Sequence, residues 1–269
     1  YMNIPVAHTM GGEISGTIDE SIRHAVTKLA HVHFPANAQA AERIVRMGED
    51  PRTVHVVGCP RVDLVAEIVR GDGHVDSADW LDREGAGALI TLKEPFLLVS
   101  QHPVTTEYGQ GEPQINETLA ALDELRMPTI MLWPNADAGS EDIARGMRKF
   151  REKARRDYIR FYKNFPIETY VRLMNSCACA LGNSSAPLRE GAFIGVPTVN
   201  VGTRQCGRDR GPNVVDVGYD RAQIVDAVKR QVKHGRYPSD HLYGDGAAGP
   251  RIAEVLAVTP LQVQKRLHY

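Results

Sequence analysis

Short runs of apolar residues alternate along the chain with longer stretches whose apolar positions recur every three to four residues. IPVAHT predicts a strand closed by a glycine turn at Gly11 and Gly12. Thr17 and Glu20 are spaced as a capping box, which predicts a helix through Ile22, Val26 and Leu29 to about His31. A shorter helix, AQAAERIVRMG, is expected to stop at Gly48, and VHVVGCP reads as a strand. Beyond the Gly- and Asp-rich stretch 71–88 a second series begins. Its expected strands are FLLVS, TIMLW, YIRFY, CACALG, TVNV and NVVDV. Its expected helices lie about INETLAALDELR, EDIARGMRKFREKA, ETYVRLMNS, LREGAFIG and AQIVDAVKRQVKHG. Strands joined by helices of this length build an α/β fold around a parallel sheet. The pattern divides the chain into a Rossmann-like part over 1–80, a second over 81–250, and a C-terminal helix over 251–269 that packs back toward the first.

Composition narrows the function classes. The 269 residues are 42% apolar and 24% charged, ordinary for a soluble globular protein. Lys plus Arg number 32 against 33 Asp plus Glu, which gives no bulk positive charge for nucleic acid or an anionic membrane. No apolar run reaches the roughly 20 residues of a membrane-spanning helix. Cys59, Cys177, Cys179 and Cys206 are too few and scattered for a disulfide scaffold, and they lack zinc spacing. Reduced thiols, a cytoplasmic location and no metal are the expectations.

Ligands of parallel sheets sit beyond the carboxyl ends of the strands, and the polar loops fall there. Ser184 and Ser185 end a strand and open a helix at Pro187, as an anion site or a plain helix cap requires. Glu190, one turn on, suits sugar hydroxyls or the helix dipole. Arg204 leaves a strand with a fork suited to phosphate, followed by Arg208 and Arg210; a loop arginine is also a common salt-bridge partner. His102 directly follows FLLVS and suits phosphate contact or proton transfer. Asn135 lies at the same edge, where turn formation is its alternative. Glu13 and Asp19 flank the glycine turn, as two carboxylates dividing acid and base work would; Asp19 equally suits a first helical turn. Together these residues describe a phosphate and sugar-hydroxyl site between two α/β units.

The wording of the loops is more specific than their physics. HTMGGEISGTIDESIRHAVTKLAH, VGCPRVD, QHPVTTE, WPNADAGSE, GNSSAPLREGAFIGVPTVNVGTRQCGR and YGDGAAGPRI resemble, in order from about residue 1 to 255, the hydrolysing UDP-N-acetylglucosamine 2-epimerases of sialic- and legionaminic-acid synthesis. The resemblance implies a fold of the glycosyltransferase-B type with a UDP-sugar in the interdomain cleft. It implies elimination of UDP to 2-acetamidoglucal, then hydration to N-acetylmannosamine, with no cofactor. By motif, His102 resembles the histidine that assists the leaving group, and Asp19 an essential carboxylate. Ser184 and Ser185 resemble the diphosphate holders, Glu190 the ribose ligand, and Asn135 and Arg204 further nucleotide contacts. A homo-oligomer is permitted by the resemblance and specified by no residue pattern.

Two positions depart from the family wording. Many members carry Glu where Met10 stands, and Glu13 is the nearby carboxylate left to cover part of that role. SSAP replaces the usual helix entry while keeping both hydroxyls. The family also begins with a nucleotide-binding half domain of about 100 residues, three strand–helix units, that has no counterpart here. The expectation is therefore a chain N-terminally truncated relative to the family, with activity assigned to the whole protein. The alternatives are a non-hydrolysing 2-epimerase, a hydrolysing epimerase of a 2,4-diacetamido sugar nucleotide, a glycosyltransferase of the same fold, and a nucleotide-sugar binding protein without activity.

Overall fold

The computed structural model describes residues 2–71, 81, 84–154, 156–266 and 268. Most of the Gly- and Asp-rich stretch 71–88 therefore lies outside the described residues.

The larger region is a seven-stranded sheet in the order β3 (Ala86–Gly87), β6 (Ile159–Tyr162), β5 (Thr129–Leu132), β4 (Leu97–Ser100), β7 (Cys179–Gly182), β8 (Thr198–Val201), β9 (Val214–Val217). Every pairing is parallel except β3 against β6. Four-residue strands buried on both faces explain the continuous apolar runs. Along β4, Leu97 and Val99 enter one core cluster and Leu98 the other, the period-two alternation of a pleated strand. The first cluster is covered by α4 (Gly111–Leu125), α5 (Ser140–Lys153) and α8 (Arg221–His234) through Ile115, Leu119, Leu122, Ile143, Met147, Ile224 and Val228. The second packs Phe96, Ile130 and Leu132 against Leu173 and Met174 of α6 (Ile167–Ser176). From β4 the chain first winds outward through β5 and β6, then crosses back to β7. The reversal opens a crevice at the carboxyl ends of β4 and β7.

The smaller region holds two parallel strands, β1 (Ala7–Thr9) and β2 (Val32–Phe34), with α1 (Asp19–Leu29), α2 (Ala38–Arg46) and α3 (Pro60–Arg70). Here α3 packs against α6 and against α7 (Ala186–Ile194). The last helix, α9 (Ala248–Val258), returns to this region and sets Ile252 and Val255 on Val32, Phe34 and Val57.

Four expectations are corrected. The capping box does not form: Ile18 is the N-cap, without a side-chain bond, and Glu20 Oε2 instead accepts from the Ser15 N–H at 2.8 Å. The predicted strand at VHVVGCP is reduced to a bridge at Val54. His55 and Val57 still donate to the His33 and Pro35 carbonyls, but Pro60 ends the run by opening α3. The predicted strand IPVAHT shortens to Ala7–Thr9. The C-terminal helix begins at Ala248 and ends at Val258, before Pro260. Gly48 does follow α2 with φ 87°, as a helix-ending glycine requires.

Candidate functional site

His102 leaves β4 at the crevice, 6% exposed, and is gripped from the neighbouring strand. Asn183 Oδ1 accepts the His102 N–H at 2.7 Å, and Asn183 Nδ2 donates to the His102 carbonyl at 2.9 Å. This two-way bond needs β7 to approach β4 closely. A Cβ at Gly182 (φ 124°) would lie 2.1 Å from the Ser100 carbonyl oxygen, so only glycine fits. The ring is equally fixed. The Asn135 N–H donates to Nδ1 at 3.1 Å, so the neutral imidazole carries its proton on Nε2, 3.1 Å from Ser100 Oγ. Burial, then the nearby Arg204, pushes the His102 pKa down to about 3. At neutral pH the ring is an uncharged donor at Nε2.

His102, Asn135 and Ser184 line one cavity of about 280 Å³ with Arg61, Trp133, Lys163, Phe165 and Tyr170. Aromatic walls with cations at the rim suit a base and a diphosphate. Ser184 Oγ accepts weakly from the Ala186 N–H (3.4 Å), while Ser185 is the N-cap of α7 with no side-chain bond. The capping bond thus falls to the first hydroxyl. Glu190, 4% exposed on α7, lies 3.5 Å from Arg189 and 3.8 Å from Arg61, and its Oε2 has no protein partner. Burial raises its pKa, opposed by Arg189.

Neither carboxylate of the glycine turn lines this cavity. Both approach it through a seam of three loops. Thr105 and Thr106, after His102, meet the backbone of Ile18 and Gly16, and Thr203 Oγ1 donates to Glu107. The Gly16 N–H donates to the Arg204 carbonyl at 2.9 Å, so close that a Cβ on Gly16 would sit 2.1 Å from the Thr203 oxygen. Asp19, exposed at the first turn of α1, acts electrostatically on Arg23 and Arg204. Arg204 touches the Asn183 carbonyl at 3.3 Å and Asp137 at 3.8 Å, leaving its buried Nε unpaired. Glu13, 2% exposed, is paired with Arg208. Arg210 braces that loop by donating to the Gln205 and Arg208 carbonyls and to Asp216.

Sequence reasoning missed Arg23, Asn183, Lys163 and Tyr170. Arg23 was findable, because it stands one turn after Asp19 on the same face of α1. Met10 lies in the left-handed region (φ 63°) and packs with Phe193 and Leu242 against Ala36, Cys59, Val62 and Tyr243. It serves an apolar contact rather than acid–base work. A larger hollow of about 520 Å³, lined by His31, Glu49, Arg52 and Lys265, lies away from the loops at the carboxyl ends of the sheet. Its size alone does not make it the site. Among the described residues no group of three or more His, Cys, Asp or Glu could hold a metal ion, and no helix is long and apolar enough to cross a membrane. The four cysteines are free, with Cys206 exposed in the Arg204 loop.

The family model described as UDP-N-acetylglucosamine 2-epimerase matches residues 1–257. The chain belongs to that family. It is 32% identical over 255 residues to a UDP-N-acetylglucosamine 2-epimerase of Neisseria meningitidis serogroup B, covering 93% of this chain and 64% of that protein. It is 30% identical over 264 residues to a UDP-N,N'-diacetylbacillosamine 2-epimerase (hydrolyzing) of Legionella pneumophila, covering 98% and 67%. The chain therefore spans about two thirds of the length of these relatives. Its fold is shared with the crystal structure of the UDP-GlcNAc 2-epimerase from Neisseria meningitidis bound to UDP-GlcNAc, with a TM-score of 0.77 at 15% identity over 96% of this chain and 71% of that one. The α/β fold of glycosyltransferase-B type expected from the loops is the fold found.

Proposed function

We propose that the whole protein is a hydrolysing UDP-N-acetylglucosamine 2-epimerase, releasing N-acetylmannosamine and UDP for nonulosonic (sialic) acid synthesis. The observation that carries this reading is the convergence of the His102, Asn183–Ser184 and Arg204–Arg208 loops on the strand crossover, with the Glu13–Asp19 loop closing over it. In this reading the chain divides into the remainder of one Rossmann-like domain over 1–80 and a nucleotide-binding domain over 81–250. The base and ribose occupy the cavity of Tyr170 and Phe165, with Glu190 on α7 within electrostatic reach of Tyr170 as the ribose ligand, and the diphosphate meets Ser184, Ser185, Asn135 and Arg204.

The chemistry follows from the groups present. A carboxylate of the seam takes the C2 proton, the C2–H electron pair becomes the C1–C2 double bond, and the C1–O bond breaks with its pair going to the β-phosphate oxygen. The neutral His102 Nε2–H and the Arg204 fork stabilise that oxygen as charge develops. Water then adds its oxygen to C1 and a proton returns to C2 on the other face, giving the manno product. In this reading Glu13 and Asp19 divide these transfers. A nucleotide substrate and free thiols fit a cytoplasmic enzyme.

Proton NMR of the whole protein with UDP-N-acetylglucosamine in D2O tests the reading. Free N-acetylmannosamine with deuterium at C2, together with UDP, is the expected result. UDP-N-acetylmannosamine in place of the free sugar would make the enzyme non-hydrolysing. An unchanged spectrum with turnover of a 2,4-diacetamido sugar nucleotide would favour a second reading, motivated by the 30% identity to the Legionella enzyme and by Met10. Binding without consumption of either would reduce the protein to a sugar-nucleotide binder.

A further inference from the structure

Glu13 and Arg208 stand 195 positions apart, in the loop before α1 and the loop after β8. Their side chains are 2% and 5% exposed, and Arg208 Nη1 reaches Glu13 Oε2 at 2.5 Å. Burying two charges costs much of what their attraction returns, so such a pair adds little stability beyond a well-packed apolar one. The unused atoms point to what it does. Glu13 Oε1 is buried with no protein partner, and so is Arg208 Nε.

The rest of the neighbourhood holds the pair still. Arg23 donates to the Glu13 carbonyl at 2.9 Å, and Arg189 and Glu190 of α7 and the Tyr243 phenol lie within its electrostatic reach. Next to Arg208, Asp209 takes a two-pronged bond from Arg43 at 3.1 Å, and its carbonyl accepts from the Tyr243 hydroxyl at 2.5 Å. Arg208 is thus anchored on both sides, whereas Arg204 meets only the Asn183 carbonyl at 3.3 Å and Asp137 at 3.8 Å among the described residues, contacts longer than the Arg208–Glu13 pair.

We propose that Arg208 is a positioning residue: it fixes Glu13 through Oε2 and leaves Oε1 free to accept the C2 proton, so that Glu13 supplies the ionisable group that Met10 cannot. The inference rests on the epimerase reading above. In the step it serves, the C2–H bond breaks, its proton bonds to Glu13 Oε1, the pair forms the C1–C2 double bond, and the C1–O pair leaves with UDP. Arg208 neither gains nor loses a proton.

The test compares the whole protein with its Arg208→Gln and Arg208→Lys variants, reading kcat, KM, deuterium entry at C2 and UDP affinity by calorimetry. Arg208→Gln should lower kcat and C2 labelling together by about 30-fold, the worth of a charge-assisted hydrogen bond, with KM and UDP affinity within about 3-fold. Arg208→Lys keeps the charge and should recover most of the loss. Unchanged UDP affinity also shows that the variant is folded; if Arg208→Gln does not fold, Arg208→Lys decides, with a kcat loss of about 3- to 10-fold expected from a misaimed point charge. Unchanged kcat, or lost UDP affinity with kcat intact, would overturn the inference and, in the second case, make Arg208 a phosphate ligand. Absence of C2 labelling in the parent with either sugar nucleotide would instead sink the epimerase reading itself.

Discussion

The two regions that meet at the seam are built on different physics. The seven-stranded sheet is sealed on both faces by two apolar clusters, and β4, β5, β7 and β8 are buried throughout. The smaller region has two short strands, of which β1 is largely exposed, and two small clusters of buried residues. Ile22 and Leu29 of α1 face solvent. Charged contacts make up the difference. Glu49, 2% exposed, receives Lys28 at 2.5 Å, Lys265 at 2.6 Å and His33 at 3.0 Å, and Lys265 also donates to the Thr27, Lys28 and Ala30 carbonyls at the end of α1. One wall of the site is therefore set by close packing. The other is set by ion pairs, which are more easily shifted than a packed core.

The largest effect that would sharpen this contrast is expected at Glu49. Glu49→Ala leaves two lysines facing a buried histidine and should cost roughly 3–5 kcal/mol. Leu98→Ala in the sheet should cost roughly 2–5 kcal/mol. Denaturant unfolding followed by hydrogen exchange separates them: the first should release β2 and α1 while the sheet stays protected, the second should weaken the sheet. Equal loss in both regions from Glu49→Ala would break the contrast.

Among the described residues the two buried histidines, one in each region, have their pKa pushed down chiefly by burial: His33 to about 4 and His102 to about 3. The unfolded chain protonates them near the ordinary imidazole value of 6.5, so below that pH the unfolded state binds more protons. Stability is full above about pH 6.5 and is lost as pH falls, down to about 4 for His33 and about 3 for His102, by on the order of a few kcal/mol each. His33→Gln should flatten the upper part of a Tm-against-pH curve. An unaltered slope between pH 6.5 and 4 would remove His33 from the account.

Smaller still is Gly16→Ala, whose methyl would meet the Thr203 carbonyl oxygen. Opening the seam there should cost roughly 1–3 kcal/mol and weaken UDP-dependent protection of α1, with the sheet unaffected. Least of all is Leu29→Gln, at an exposed end of α1. A Tm shift within about 0.5 kcal/mol of stability is expected, and a larger one would mean that α1 relies on apolar cover after all.

The same contrast explains what the sequence revealed. The six parallel strands of the larger region were legible, because four-residue apolar runs between amphipathic helices have one reading at this spacing; the exposed two-residue edge strand β3, antiparallel to β6, carried no apolar run and was missed. His102, Ser184 and Arg204 were legible as loop residues at strand ends. In the smaller region local signals misled. Thr17 and Glu20 had the capping-box spacing, yet Glu20 found the Ser15 amide, and a strand-like run at 54–59 was overruled by Pro60. The seam itself was invisible, since Glu13–Arg208 and Arg43–Asp209 join residues more than 160 positions apart and no periodicity encodes such pairs. Tyr170 was hidden inside a helix pattern that any apolar residue would satisfy.

Hydrogen exchange of the protein, free and saturated with UDP, tests most directly whether the two walls form one site. Protection is predicted at 102–107, 183–190 and 203–208 on the sheet side and, through the seam, at 13–23 on the other. Protection confined to the sheet loops, with 13–23 exchanging as in the free protein, would contradict it.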